Sequence, residues 1–386
     1  MRINILKYII KQLAKLTVWR FKPEIIAVAG PVGKSLAKSA IFAVLKNNYR
    51  VRKESDDFNG ESELGALLVI LGKWRKISRP LFLFWLRIII APIFRFIFLP
   101  KSLYPKILIL ESEEFKPKIA VLTAASGGAV EFPQSCDFAI LILDGAAFVK
   151  IKRRIKNYGK IYDEESDIKI INIENRIDGN GLSGVSFKIE YGGSFVPVFL
   201  KGLLGKSHTL AAAAAVAVGL IYNLNLVEAL ELIMANYRPP KGKMNLTVGL
   251  KNTYIIDDSS GASLISARLA LETIKELKAP RKIAVLGDMA ETDKFAVEEH
   301  EAAGRLAAES VDILLTIGLR GKFIAEAALD AGMAKNKVLT FDIYEEAIEP
   351  LKTLIREKDL ILIKASRAIG LEKIVEKLKA TDAPVV

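Results

Sequence analysis

Residues 25–36 read IIAVAGPVGKSL. An apolar run ends at Ala29, glycines follow at positions 30 and 33, and Lys34 and Ser35 begin a stretch with helical patterning. The order predicts a strand, a tight turn and a helix. In that setting Gly30 and Gly33 let backbone N–H groups converge on an anion, and the helix N-terminus adds its positive end. Lys34 can reach terminal phosphates, and the Ser35 hydroxyl can ligate Mg²⁺. Gly30, Pro31, Val32, Gly33, Lys34 and Ser35 are therefore the candidate ATP-binding loop. The strict phosphate-loop pattern places a glycine where this chain has Val28. The plainer alternative is a glycine turn with a surface lysine.

Outward from this corner the chain alternates. EIIAVAG (24–30), PKILILES (105–112), PKIAVLTAAS (117–126) and FAILILD (138–144) read as buried strands, and KSLAKSAIFAVLKNN (34–48) reads as a helix. Continuous β-branched runs between helices predict a parallel sheet covered on both faces. Short strands are expected at IKIINIE, GVSFKIEY and SFVPVFL, then a long alanine-rich helix in LLGKSHTLAAAAAVAVGLIYNL. NYRPPKGKMN (236–245) is a Pro/Gly/Lys linker and the expected domain boundary. Beyond it TYIIDDS, RKIAVLGDM, VDILLTIG, KVLTFD and DLILIKAS alternate with helices. The expected fold is α/β: a P-loop central ATPase-type domain with a parallel sheet, plus a smaller doubly wound, Rossmann-like C-terminal domain. The expected division is a basic helix at 1–24, a central domain at 25–236 and a C-terminal domain at 237–386.

Composition narrows the function. With 386 residues, 51% of them hydrophobic, the chain can bury a large core. A net charge of +12 points to an anionic partner: nucleotide, anionic lipid or nucleic acid. One cysteine, Cys136, excludes an internal disulfide and a multi-cysteine metal site, and two histidines disfavour a His-rich metal enzyme. The basic N-terminus lacks a small-residue cleavage site, so no cleaved signal peptide is expected, and a reducing cytoplasm fits.

Residues 1–22 carry Ile5, Ile9, Leu13 and Leu16 at helical spacing, with Lys7, Lys11 and Lys15 between them. This predicts either a helix packed on the next domain or a membrane-surface helix. Residues 73–104 are the most apolar stretch, but Arg87, Arg95 and Pro92 interrupt it. A spanning helix needs about 20 predominantly apolar residues, so an interfacial helix or hairpin is the expectation, with a buried or partner-covered hairpin and a true insertion as the alternatives. The predicted location is peripheral, on an anionic membrane surface at the inner face of the plasma membrane. The basic residues surround an apolar aromatic stretch, not a stacking platform, so nucleic acid is not the expected partner.

An ordered set of segments resembles the Mur ligases, ATP-dependent amide-bond ligases of cell-wall precursor synthesis. They are VAGPVGKSLAKSAI, DDFNGESELGALLVIL, ILILES, LLGKSHTLAAAAAVAVG, RPPKGKMN, YIIDDSSGAS, KIAVLGDMAET and ILIKASRAIGLEKIVEKL, running from about residue 25 to 378. Within the family the likeness is to the branch that adds D-alanyl-D-alanine to a UDP-muramoyl-tripeptide.

The resemblance implies ATP and Mg²⁺, with a substrate carboxylate attacking the γ-phosphate and an amine then displacing phosphate from the acyl phosphate. It implies Lys34 on the β/γ-phosphates and Ser35 with Glu111 on Mg²⁺. His208, Lys243, Asp257 and Asp258 would hold the nucleotide, and Ser366 and Arg367 would face the incoming amine substrate. Lys34, Glu111 and Arg367 are the residues expected to act in catalysis. The implied partners are a nucleotide and a peptide or muropeptide precursor.

Several positions have plainer readings. Glu111 could be a strand-end carboxylate, and His208 a helix cap. Asp257 and Asp258 could cap the next helix. Asp288 and Glu291 could be first-turn acids, and His300 a helix-surface or interface residue.

The departures matter too. The family's sugar-gripping first domain is not seen before Ile25, so a separate partner supplying it is an expectation. AASGGAVEFPQSCDF lacks a metal-binding histidine, Ala212 replaces an expected asparagine, and Lys243 replaces the usual arginine. The alternative to an active ligase is a non-catalytic ATP-binding relative that acts as a scaffold or regulatory subunit.

Overall fold

The computed structural model describes residues 2–30, 32–54, 62–72, 90, 92–111, 115–124, 136–143, 148–155, 167–177, 183–290 and 295–380. Pro31, Glu291, the DDFNG segment, most of AASGGAVEFPQSCDF and residues 73–89 lie outside the described residues. The chain divides into two compact units. One comprises Met1–Ile170, Ile189–Val196 and Leu210–Pro239, and the other Ile171–Lys188, Pro197–Thr209 and Pro240–Val386.

In the first unit the apolar runs form strands β1 (Glu24–Ala29), β2 (Val51–Lys53), β3 (Ile107–Leu110), β4 (Ile119–Ala124) and β5 (Cys136–Leu143). Their order is β2-β3-β1-β4-β5, and every pairing among them is parallel. β6 (Phe148–Ile155) then turns back antiparallel to β5, and β7 (Ile168–Arg176) antiparallel to β6. β8 (Gly184–Tyr191) and β9 (Ser194–Lys201) complete the nine-stranded order. The sheet is thus mixed and not purely parallel. Residues 144–147 alone separate β5 from β6, a spacing too short for a parallel crossover. The basic pattern FVKIKRRI hid β6 from a search for buried runs.

Helix α1 (Arg2–Phe21) packs on α3 (Ser62–Ile70) and buries Ile10, Ala14 and Thr17. Of the apolar residues counted at helical spacing, Ile9 and Leu16 are 38% and 48% exposed. The small Ala14 lets the helix approach closely, so the inward stripe is rotated from the one counted in the sequence.

Helix α2 (Lys34–Leu45) packs on α5 (Leu226–Asn236), which is capped by a reciprocal Asn225–Glu228 box. The alanine-rich α4 (Lys206–Ile221) lies close by. A Cβ at Gly219 would stand 3.2 Å from Val44 and 3.3 Å from Ala229.

The second unit holds β10 (Asn245–Val248), β11 (Tyr254–Asp258), β12 (Lys282–Gly287), β13 (Ile313–Ile317), β14 (Val338–Phe341) and β15 (Leu360–Lys364). Their order is β10-β11-β15-β12-β13-β14, parallel except for β10. Alternate residues face two cores. Ile256, Ala284, Leu314 and Leu362 meet α6 (Leu264–Glu276), α7 (Ala296–Ser310) and α8 (Gly321–Asp330). Ile255, Ile283, Leu315 and Ile361 meet α9 (Tyr344–Leu354) and α10 (Glu372–Leu378). Helices on both faces are the doubly wound arrangement.

Arg281 clamps the N-terminal edge of this sheet. Its guanidinium grips Asp359 at 3.0 and 2.5 Å and donates to the Leu354 carbonyl at 2.7 Å. Asp359 is 1% exposed and also accepts from the Arg356 N–H. Removing one partner of a buried pair leaves a charge without compensation, so Asp359→Ala is expected to cost about 3 kcal/mol. Urea unfolding followed by circular dichroism measures this; a loss near the surface-pair range of about 0.5 kcal/mol would contradict it.

Candidate active site

The phosphate-loop corner forms where β1 ends. Gly30 has φ +125° and Gly33 φ +86°, both in the region that favours glycine. A Cβ at Gly30 would lie 1.9 Å from the Thr123 carbonyl oxygen at the end of β4. The Thr123 hydroxyl donates to the Ala29 carbonyl at 3.1 Å and holds the turn against β4. Gly33 is the N-cap of α2 and provides no side-chain cap, so the first N–H groups of that helix are not claimed in that way. Val32, Lys34 and Ser35 are half-buried around them. This corner fits an anion.

Glu111 follows β3, the parallel neighbour of β1, and so stands at the same C-terminal strand edge as Gly30. Its carboxylate meets Lys38 Nζ at 2.7 Å, with Lys38 only 2% exposed. Its backbone N–H donates to the buried Glu54 at 2.7 Å. Among the described residues no group of three or more His, Cys, Asp or Glu side chains could enclose a metal. A hydroxyl and a carboxylate with water filling the remaining positions is nonetheless the hard-oxygen set that suits Mg²⁺. Ser35 and Glu111 supply oxygen donors of that kind, and Glu111 is already paired with Lys38. Lys38 and Glu54 were missed in the sequence, although Lys38 falls one helical turn after Lys34.

In the second unit the expected residues gather at the C-terminal edge of β11, β12 and β15. Asp258 is bonded to Lys364 Nζ at 2.6 Å, both nearly fully buried, and Lys364 also donates to the Gly261 carbonyl at 3.1 Å. Asp257 accepts from the Ser259 N–H at 3.2 Å and hydroxyl at 2.6 Å, while burial raises its pKa. Neither aspartate caps α6: Ser263 and Ser266 form that box. The lysine inside the apolar run LILIK was the missed signal, because a charge in a buried strand requires a partner.

Ser366 is 4% exposed; its hydroxyl accepts from the Ala290 N–H, and its own N–H donates to the Asp288 carbonyl at 3.0 Å. It therefore braces the loop after β12. Arg367 beside it is exposed, at the start of a short 3₁₀ turn. Asp288 accepts from the Arg320 and Gly321 N–H groups at 2.9 and 2.8 Å. It complements a helix N-terminus as expected, but the helix is α8, not the one that follows it in sequence.

Both histidines are buried. His300, expected on a helix surface, accepts from the Met289 N–H on Nε2 at 2.9 Å, and its Nδ1 faces the Ala296 carbonyl. Burial lowers its pKa. His208 Nε2 donates to the Lys243 carbonyl at 3.0 Å. It thereby ties the start of α4 to the linker, and its ring is 0% exposed. Lys243 itself is half-buried, and its N–H donates to Asn245 at 3.0 Å.

Burial pulls the His208 pKa down to about 4, from 6.5 in an unfolded chain. Below pH 6.5 the unfolded chain takes up a proton that the folded one refuses. The contribution of this group is complete above pH 6.5 and is lost as pH falls toward about 4, a loss of about 3 kcal/mol. The gap between wild type and His208→Gln in urea-derived stability is expected to narrow between pH 7 and 4.5; a constant gap would refute it.

Residues 244–367 match the family described as Mur ligase, glutamate ligase domain. The chain is 26% identical over 387 residues to the UDP-N-acetylmuramoyl-tripeptide–D-alanyl-D-alanine ligase of Bacillus subtilis, covering 96% of this chain and 79% of that protein. The ligase of the same name from Mycobacterium tuberculosis is 28% identical over 201 residues, 47% of this chain and 39% of that one. In three dimensions the crystal structure of the MurF ligase of Thermotoga maritima in complex with ADP superposes with TM-score 0.66 and 17% identity, over 95% of this chain and 83% of that one. The chain thus carries a Mur ligase C-terminal domain, and over nearly its whole length it is similar to ligases named for joining D-alanyl-D-alanine to UDP-N-acetylmuramoyl-tripeptide.

Proposed function

We propose that the chain is an ATP-dependent amide-bond ligase of the Mur type, acting on a peptide-bearing cell-wall precursor. The observation that carries this reading is the glycine corner at the α2 N-terminus, which has no side-chain cap, with Glu111 just after the next parallel strand. The loop N–H groups and Lys34 hold the ATP phosphates and offset their charge. Ser35 and Glu111 are the residues that would hold Mg²⁺, which when bound neutralises charge on the phosphates. Lys38 keeps the Glu111 carboxylate fixed at the strand edge. The precursor carboxylate attacks the γ-phosphorus, ADP leaves, and the amine then displaces phosphate to form the amide. In the second unit Arg367 offers an exposed guanidinium suited to a substrate carboxylate. Asp258, Lys364, Ser366 and His208 hold the surrounding loops in place for that unit's part of the work.

The reading extends to location. The exposed aromatic face of α1 and residues 92–98, rich in cations, fits an anionic membrane surface. No helix among the described residues is long and apolar enough to cross one. Trp19→Glu combined with Phe98→Glu is expected to abolish flotation with anionic vesicles. Undiminished flotation would remove this part of the reading.

The ligase reading is tested by phosphate release from Mg-ATP in the presence of UDP-muramoyl-tripeptide and D-alanyl-D-alanine. Release is expected to require both substrates. Lys34→Ala is expected to lower the rate about a hundredfold, the scale of losing one charge-stabilising donor. Gly30→Ala, which drives a methyl group into the Thr123 carbonyl, should also weaken ATP binding. Wild-type ATP affinity in both variants would sink the assignment of this corner.

A further inference from the structure

The excess of positive charge is confined to two segments. Residues 1–23 hold six Lys or Arg and residues 73–106 hold eight, and neither contains an Asp or Glu. The rest of the chain therefore carries 42 basic against 44 acidic residues. The same two segments hold ten of the nineteen large apolar side chains that are exposed among the described residues, Trp19, Phe94, Ile97, Phe98 and Leu103 foremost. Charge and apolar exposure thus coincide, and the two segments touch. The Arg20 guanidinium lies 5.0 Å from the Phe96 ring and donates to the Ile97 carbonyl at 3.4 Å.

A cavity of about 190 Å³ opens beside this face. Phe21, Ile70, Leu99 and Leu103 give it apolar walls, and Arg52 and Arg95 supply two guanidinium groups. Leu103 lines the cavity and is 60% exposed, so the cavity and the apolar face are continuous. No carboxylate is among the described lining residues.

Both arginines are held in place. Arg95 Nη1 donates to the Leu71 and Gly72 carbonyls at 2.9 and 3.2 Å, and Arg52 Nη1 donates to the Val69 carbonyl at 2.8 Å, all at the C-terminal end of α3. A Cβ at Gly72 would lie 1.9 Å from Arg95 Nη1, so the guanidinium occupies space that a side chain at that position would contest. Tyr104 stacks on Phe21 with centroids 4.3 Å apart, and its hydroxyl donates to the Ile70 carbonyl at 2.6 Å. Burial, and after it the Arg95 charge, lowers the Arg52 pKa, a penalty that an anion would relieve.

We infer that this cavity takes the phosphate of an anionic membrane lipid, with the acyl part of the lipid continuing onto the face of α1 and residues 92–98. The inference rests on the membrane-surface reading above and names its ligand. Guanidinium groups match phosphate oxygens in geometry as well as charge. The apolar walls favour a lipid phosphate over a free one, because only a lipid brings carbon to cover them.

The full-length chain is floated with vesicles of phosphatidylcholine alone and with added phosphatidylglycerol. Wild type is expected to prefer the anionic vesicles at least tenfold. Arg95→Gln should lose the preference, and Arg95→Lys should keep most of it. A preference unchanged in Arg95→Gln overturns the cavity proposal while leaving the membrane reading intact. No flotation of wild type with either vesicle overturns both. Should Arg95→Gln fail to fold, the wild type decides the matter in thermal unfolding. Dioctanoyl phosphatidylglycerol below its micelle concentration is expected to raise the melting temperature, with inorganic phosphate at equal concentration having no effect. An equal rise with phosphate, or none with the lipid, refutes the assignment.

Discussion

The missing Cβ at Gly30 is the constraint on which the first unit is built. β1 and β4 are adjacent parallel strands, and the turn that leaves β1 must pass over the end of β4. Any side chain at Gly30 would penetrate the Thr123 carbonyl, at a backbone angle that L residues rarely adopt. Gly33 is glycine for a different reason. Its nearest neighbour is 3.9 Å away, so space is not limiting, but φ +86° is. One glycine is required by proximity and the other by conformation. Together they aim the start of α2 at the strand edge where ligands of parallel sheets bind.

Each unit then fixes a carboxylate at such an edge by the same device. Lys38 meets Glu111 in the first unit and Lys364 meets Asp258 in the second, each lysine 2% exposed. A buried ammonium costs several kcal/mol unless paired and hydrogen-bonded, so the carboxylate is not free to swing away. The acids expected to meet metal or nucleotide are therefore positioned before any ligand arrives. That arrangement places part of the cost of ordering in folding and not in binding.

What was legible in the sequence was local. The strand–turn–helix at Ile25–Leu36 and the alternation beyond residue 245 follow from periodicity and glycine placement, and both units contain these elements. What was not legible depends on distant partners. Asp288 lies before α7 yet serves α8, because β12 and β13 are neighbours and their loops meet. His300 occupies a polar helical stretch, EEHEAAG, but its ring turns inward to the Met289 N–H. Ser366 reads as a substrate contact beside Arg367, yet its hydroxyl is used by Ala290. β6 carries four cations among its eight residues, and only pairing with β5 makes it a strand. Spacing can nominate a polar residue for a site; burial decides whether its polar atoms are left for a ligand.

Helix α1 shows how the charge and the fold combine. Ile10 and Ala14 point inward at 0% exposure, while Trp19 and Tyr8 point outward at 70% and 63%. A helix apolar on two opposite faces normally has two surfaces to cover. The domain provides one of them. For the other, a spanning geometry is ruled out among the described helices, and the cations flanking the outward stripe are tolerated at a headgroup layer but not in hydrocarbon. Together with the eight cations of residues 73–106, the six of residues 1–23 account for the entire positive excess of the chain, so the rest of the sequence adds no net attraction of its own for an anionic layer. Attraction of about 1 kcal/mol per basic residue acts only within a Debye length, and on the membrane-surface reading proposed above it would orient the chain with α1 and residues 92–98 toward the lipid.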